Sequence, residues 1–266
     1  MAPKQEKTTG AQSLHRSFGL LRMISSHAAR GLSLVEICKR SGIARSTVYR
    51  MLRALQNEGL VEQDPDDDRY YLGREAWLMG LAAESRYGMT DVAKATLASL
   101  SAEAGDISLF LQRIGTHTVC IARNEGSYPV RTHTAQVGGR YPLGVGGGSL
   151  AILAACPDDE IDWILERNAD EMARDHPGFP PPFLRELIDE TRANGYAVNP
   201  GRVYAESWGV GIPFFDPQGT PRGAISLAGV PNRIEPRIPE VVTILKNEQP
   251  RLEKRLYGAA SGRGID

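Results

Sequence analysis

The stretch that most restricts the fold of this chain is LSLVEICKRSGIARSTVYRMLRALQNEGL, residues 32–60. Leu34, Ile37 and Cys38 form an apolar stripe that predicts a short helix over Leu34–Arg40. Ser41-Gly42-Ile43 then reads as a tight turn, with glycine where left-handed backbone is easiest. Val48, Met51, Leu52 and Leu55 fall at i, i+3, i+4 and i+7, which predicts a second helix over about Arg45–Asn57, closed by Gly59. Upstream, Ser13 opens a helical pattern carried by Leu14, Phe18, Leu21 and Ile24 and ended by Gly31. Two short helices across a glycine turn make a helix-turn-helix. The second helix turns Arg45, Ser46, Tyr49, Arg50 and Arg53 outward, and such a helix enters a major groove led by its N-terminal residues.

The charge distribution agrees. Ser13 to Leu55 holds eight Lys/Arg and one acid, while the whole chain carries a net charge of −1. A basic module on an acidic body points to nucleic acid, against the plainer reading of a solvated face. Ser46 and Thr47 can donate to phosphates or base edges, and Arg50 can fork onto a guanine or clamp a phosphate. The competing role for Ser46 or Thr47 is to cap the helix. Next, Leu60–Gln63 and Arg69–Leu72 read as strands around the acidic turn Asp64–Asp68. This hairpin is a wing. Arg69 is placed to reach a minor groove or a phosphate, whereas the aspartates beside it repel DNA.

These residues carry a family resemblance. SLHRSFGLLRMI, LSLVEICKRSGIARSTVYRMLRALQNEGLVEQ and YYLG resemble the N-terminal domain of IclR-type bacterial transcription regulators, helix for helix, through the wing to the terminal Leu-Gly. Ala44-Arg45 departs from the proline-plus-basic pair common there but keeps the basic side chain. The resemblance implies an N-terminal all-α winged helix-turn-helix domain joined by a helix to a C-terminal α+β effector-binding domain, GAF/PAS-like with an antiparallel sheet. It also implies a homodimer or homotetramer on palindromic double-stranded DNA. On that basis the boundaries fall at 13–73, 74–88 and 89–257, with disordered tails at 1–12 and 258–266.

The remaining pattern fits an α+β domain. Glu75–Tyr87 reads as the connecting helix, broken at Gly88, and Asp91–Ala104 as an amphipathic helix. Strands are expected at Ile107–Ile114, Thr118–Arg123, Val130–Gln136, Tyr196–Asn199, Trp208–Phe215 and Gly223–Val230. Helices are expected at about 149–156, 158–168, 181–194 and 236–257, the last kinked or divided by Pro250.

The glycine loop LGVGGGSLAI, residues 143–152, admits several readings. There is no GxxxxGK[ST], so a P-loop is excluded. Gly146 to Ala151 fits the loose GxGxxA fingerprint, but the segment before it is polar and Asp170, the candidate ribose acid, ends a helical segment. A carboxylate held by exposed amides at the start of a helix remains open, as does the possibility that the glycines only make room for neighbours. Cys120 and Cys156 lack signature neighbours, and GxSxG is absent. His117 and His133 could meet as metal ligands, against the commoner strand-end histidine. Asp158-Asp159-Glu160 reads as a helix start favoured by the dipole.

We therefore expect no catalytic residue, cofactor or metal. Three scattered cysteines suit the cytoplasm, the polar N-terminus shows no secretory signal, and no apolar run approaches the ~20 residues of a membrane span. The resemblance places the effector pocket between the loop, through Leu143, Gly147 and Gly148, and strands carrying Trp208, Gly209, Ser226 and Ala228. Asn199-Pro200 and Gly209 stand where the family often has an acid and a cysteine, and with Trp208, Phe214 and Tyr204 near, a larger or aromatic carboxylate is favoured. A catabolic operon is the expected target. The alternatives are a small-molecule enzyme with a DNA-binding head, and a winged helix used only for protein contacts.

Overall fold

The computed structural model describes residues 11–28, 30–87, 89–130 and 132–258, with side chains described except at 84–87. The tails expected at 1–12 and 258–266 lie outside these residues but for Ala11, Gln12 and Gly258, as does the break expected at Gly88. The chain forms two compact units divided between Tyr87 and Gly88.

The first unit contains α1 (Gln12–Ser25), α2 (Leu34–Ser41), α3 (Arg45–Asn57), β1 (Val61–Gln63), β2 (Tyr70–Leu72) and α4 (Arg74–Tyr87). A capping box starts α2. The Ser33 hydroxyl accepts the Glu36 N–H at 3.3 Å and the Glu36 carboxylate accepts the Ser33 N–H at 2.9 Å, which satisfies two donors a helix start leaves unpaired. Gly42, at φ 65°, ends α2 in the left-handed conformation the turn demands. Of the expected stripe residues, Ile24, Ile37, Val48, Leu52 and Leu55 meet Leu20, Leu32, Val61 and Tyr70 in one core, whereas Leu14 and Phe18 stay exposed and Leu20 takes the buried side of α1. Each side chain in that core contributes about 1.5–3 kcal/mol by leaving water. The strands pair antiparallel with Val61 opposite Leu72, and Leu32 bridges Tyr70 from the other side.

The second unit runs α5 (Thr90–Ala104), β3 (Ile107–Ile114), β4 (His117–Asn124), β5 (Arg140–Pro142), α6 (Gly147–Ala154), α7 (Asp158–Asp175), α8 (Pro181–Asn194), β6 (Ala197–Pro200), β7 (Trp208–Phe215), β8 (Pro221–Gly229), α9 (Pro231–Ile234), a short 3-10 turn and α10 (Ile238–Tyr257). Its strands form one six-stranded antiparallel sheet in the order β5-β4-β3-β8-β7-β6. Side chains alternate across a strand, so the sheet supplies two cores. Leu109, Leu111, Cys120 and Ala224 pack with α6, α7 and α8. Phe110, Val210, Ile212, Phe214, Ile225 and Leu227 pack with α5 and α10.

Three expectations are corrected here. No strand forms among the described residues of 130–136. The edge of β4 is already taken, by β5 and by the hydrogen bonds that join Cys120 to Gly138 and Gly139. The helix expected at 158–168 continues to Asp175, so Asp170 lies inside it. Its apolar stripe is interrupted by Asn168, which is buried because its amide donates to the Thr116 carbonyl at 2.8 Å. Pro250 does not divide α10. The proline is exposed, while Leu252 beyond it is fully buried and Arg255 reaches back over it to Glu248 at 2.9 Å.

Candidate functional site

The outward face of α3 bears the expected chemistry. Arg45, Ser46, Tyr49, Arg50 and Arg53 are exposed and Thr47 is half-buried. The N-cap of α3 is Ala44 and no side chain caps it, so neither Ser46 nor Thr47 is committed to capping. No side-chain hydrogen bond or ion pair joins the guanidinium of Arg45, Arg50 or Arg53 to another described residue. In the second unit the pattern is different, with Arg113, Arg192, Arg222, Arg233, Arg237 and Arg255 all bound to carboxylates. Free guanidiniums on one helix face, beside unpaired amides at the helix start, are what a phosphate backbone attracts.

Arg69 departs from its expected place. Its Nη1 donates to the Gly31 carbonyl at 3.1 Å, the Arg30 carbonyl at 3.4 Å and Glu36 Oε2 at 3.1 Å. Its guanidinium is therefore held by the turn before α2 and by the first turn of α2.

The second unit holds a cavity, open to solvent on one side, between the start of α6 and the sheet. One wall is the start of α6. Gly144 and Gly146, at φ 103° and 86°, turn the chain so that α6 begins against β7. A Cβ on Gly147 would lie 2.7 Å from the Gly209 carbonyl oxygen, and one on Gly211 would lie 2.5 Å from the Gly148 Cα. Packing alone thus requires glycine at 147 and 211, the reading that competed with close approach of a ligand. Gly209 is different, since a Cβ there meets nothing nearer than 3.9 Å. Its missing side chain is open space in the cavity.

The sheet provides the floor. Asn199, Gly209 and Ala228 lie side by side in register on β6, β7 and β8. Of the expected residues, Gly147, Gly148, Gly209, Ser226 and Ala228 line the cavity. Leu143 and Trp208 do not. Leu143 is fully buried in the core beneath α6, α7 and α8. Trp208 precedes Gly209, so alternation sends its ring to the opposite face, toward α5 and α10. Phe214 lies on that face too, its ring 5.2 Å from that of Phe110, whereas Tyr204 does line the cavity.

Several lining residues escaped the sequence reading, among them Leu109, Leu111, Thr118, Thr134 and Tyr141, while Asn199 lines the cavity at the position where the family often has an acid. Pairing register puts Leu109, Leu111 and Asn199 on the face that carries Gly209, and the sequence specifies neither that register nor which face meets α6. Thr134 sits in the segment read as a strand. Burial, then the neighbouring Tyr204 phenol, pushes the Tyr141 hydroxyl well above its ordinary range. Burial also pushes the Cys120 thiol up to about 12 and Cys156 to about 11. Both thiols stay protonated near neutrality and are poor nucleophiles. His117 hydrogen-bonds Glu171 at 2.9 Å while the His133 ring packs 5.9 Å from Tyr204, so the two are not brought together. Among the described residues no group of three His, Cys, Asp or Glu is placed to hold a metal ion, and no helix is long and apolar enough to cross a membrane.

Comparison with known proteins agrees with both units. The IclR helix-turn-helix domain matches residues 13–65, and the C-terminal domain of bacterial IclR transcriptional regulators matches residues 82–249. The HTH-type transcriptional regulator KipR of Bacillus subtilis is 25% identical over 226 residues, covering 85% of this chain and 90% of its own. The crystal structure of an IclR-type regulator from a Silicibacter species superposes with a TM-score of 0.71 at 22% identity, over 91% of this chain and 95% of that one. An IclR homolog from Microbacterium hydrocarbonoxydans, crystallised with 4-hydroxybenzoate, superposes with a TM-score of 0.67 at 21% identity, over 91% and 98%. The chain belongs to the IclR family: it is a transcription regulator with a DNA-binding helix-turn-helix and a C-terminal effector domain.

Proposed function

We propose that this regulator senses a small carboxylate, aromatic in preference to aliphatic, and thereby adjusts operator binding or transcription of a catabolic operon. One observation carries the reading. Thr134 and Asn199 both line the cavity, are only 5% and 8% exposed, and have their Oγ1 and Oδ1 atoms without a partner among the described residues. A buried polar atom left unpaired costs about 1–3 kcal/mol, which a ligand hydroxyl would recover. The first amides of α6 suit a carboxylate at another part of the same molecule, and Leu109, Leu111 and Val145 suit an apolar body between. The homolog that binds 4-hydroxybenzoate supports a ligand with both groups.

Arg45, Ser46, Thr47, Tyr49, Arg50 and Arg53 meet the DNA in this proposal, and Gly147, Gly148, Gly209, Ser226 and Ala228 meet the effector. Residues 13–73 bind the operator, 74–88 connect and 89–257 sense. The working form is a homodimer or homotetramer in the cytoplasm, on a palindromic site. Trp77 at 59% exposed, Met79 at 55% and Leu81 at 48% leave α4 apolar on several sides, which favours cover by a second copy. The effector is bound and released unchanged, because occupancy shifts a two-state equilibrium. The test is a thermal-shift panel of aliphatic and aromatic carboxylates followed by recovery of the ligand. Stabilisation by aliphatic acids alone would sink the aromatic preference, and conversion of the ligand would favour an enzyme.

A further inference from the structure

Arg69 is the sole cation of the wing hairpin. Between Val61 and Leu72 the chain carries five carboxylates (Glu62, Asp64, Asp66, Asp67 and Asp68) and one guanidinium. The acidic turn is held in shape by its own side chains. Asp64 Oδ1 accepts the Asp66 N–H at 2.8 Å, Asp67 Oδ1 accepts the Arg69 N–H at 2.8 Å, and the Tyr71 hydroxyl donates to Asp67 Oδ2 at 2.9 Å.

The Arg69 side chain faces the other way. It joins Glu36, the same carboxylate that closes the capping box of α2, and two carbonyls of the turn before that helix. Arg30 adds a second cation to Glu36 at 3.7 Å. The link lies beside the Leu32–Tyr70 bridge, whose two backbone bonds of 3.1 and 2.9 Å tie the same pair of segments. The pair is half-buried, with side chains 32% and 30% exposed. Swinging the guanidinium onto a phosphate would strip Glu36 and two carbonyls of a donor and bring the phosphate up to four aspartates.

We propose that Arg69 is a positioning residue for DNA recognition, fixing the wing to the start of α2 through Glu36 without meeting a phosphate itself. Since α2 packs on α3, the link holds the wing at a set angle to the reading helix and keeps its acidic tip clear of the backbone. The phosphate charge of the operator is then met by α3 and not by the wing.

The experiment uses the full-length protein and a duplex that it has itself selected from a randomised library. Affinity is measured over a salt series for Arg69→Gln, Glu36→Gln, the double variant, Arg69→Lys and, as reference, Arg53→Gln. Each lost phosphate contact lowers the slope of log K against log salt by about 0.9. A positioning role predicts that Arg69→Gln and Glu36→Gln weaken binding by similar factors of about 5–30 at unchanged slope. The double variant then equals either single one, and Arg69→Lys, which can still reach Glu36, restores much of the loss. A slope lowered by about 0.9 in Arg69→Gln, with Glu36→Gln unaffected, overturns the proposal in favour of a phosphate contact. Unchanged affinity in both single variants, measured well below their melting temperatures, overturns it as well, since the link would then serve stability alone.

Discussion

The Thr118 hydroxyl donates to Ser149 Oγ at 2.9 Å, tying β4 to the first turn of α6. Ser149 in turn donates to the Pro142 carbonyl at 3.0 Å and accepts the Gly144 N–H at 3.2 Å. One buried hydroxyl thus pins both ends of the glycine loop. Ser149→Ala leaves Gly144 N–H without its acceptor, and we expect a loss of about 1–3 kcal/mol in urea unfolding. Effector affinity should fall with it, because the amides of α6 lose their fixed direction.

Gly209→Ala separates the cavity from the fold. Its Cβ meets no atom within 3.4 Å, so the melting temperature should hold within a few degrees. The added methyl stands beside Asn199 on the cavity floor, and we expect at least a tenfold loss of affinity for the best aromatic carboxylate, roughly 1.4 kcal/mol. Gly211→Ala should behave oppositely, unfolding at lower temperature because its Cβ collides with the Gly148 backbone. Calorimetric titration and melting of both variants check the pair.

Arg50→Ala should weaken binding to the selected duplex by about 1–3 kcal/mol if Arg50 forks onto a base, with specificity relaxed at one position. Arg45→Ala and Arg53→Ala should weaken all duplexes alike. Their mark is a salt slope reduced by about 0.9 each. Gel-shift series on matched and mismatched duplexes distinguish the two behaviours.

Trp77→Glu combined with Leu81→Glu should shift self-association to higher concentration by at least tenfold, roughly 1.4 kcal/mol. Both side chains are about half exposed or more on α4, so the fold of a single copy loses little. Sedimentation velocity over a dilution series reads the outcome, and an unchanged distribution would remove α4 from the interface.

The hydrogen bond from His117 holds the Glu171 carboxyl below the usual carboxylate range, against burial, with Asp175 and His176 also near. A depressed folded-state pKa stabilises the protein above the unfolded value and loses that contribution as pH falls through the folded one. Stability should therefore drop as pH falls below the ordinary carboxylate range, and Glu171→Gln should flatten that limb of the curve. Urea midpoints across this range are the measurement.

The helix-turn-helix was legible because its information is local. The spacing of Val48, Met51, Leu52 and Leu55 fixes which face of α3 is buried, and the arginines on the other face can only point outward. The role of Arg69 was not legible, since Glu36 lies thirty-three residues away in sequence and meets it only through the wing. The glycine loop was seen, but which residues share a cavity with it was not. Parity shows that Trp208 and Gly209 point to opposite faces, yet it cannot say which face receives α6. Leu143 was assigned to the pocket by resemblance alone, and packing instead buries it beneath α6, α7 and α8.

The sequence by itself thus determined most of the elements, the alternation within each strand and the basic face of the reading helix, which follow from periodicities of 3.6 and 2 residues; it placed a strand at 130–136 that does not form among the described residues and missed β5. Tertiary packing decided the rest. It placed α6 on the Gly209 side of the sheet and buried Asn168 by giving it the Thr116 carbonyl. It also carried α10 past Pro250 and left Thr134 Oγ1 and Asn199 Oδ1 without a partner among the described residues, beside open space. Those outcomes depend on contacts between segments far apart in the chain, and local periodicity carries no record of them.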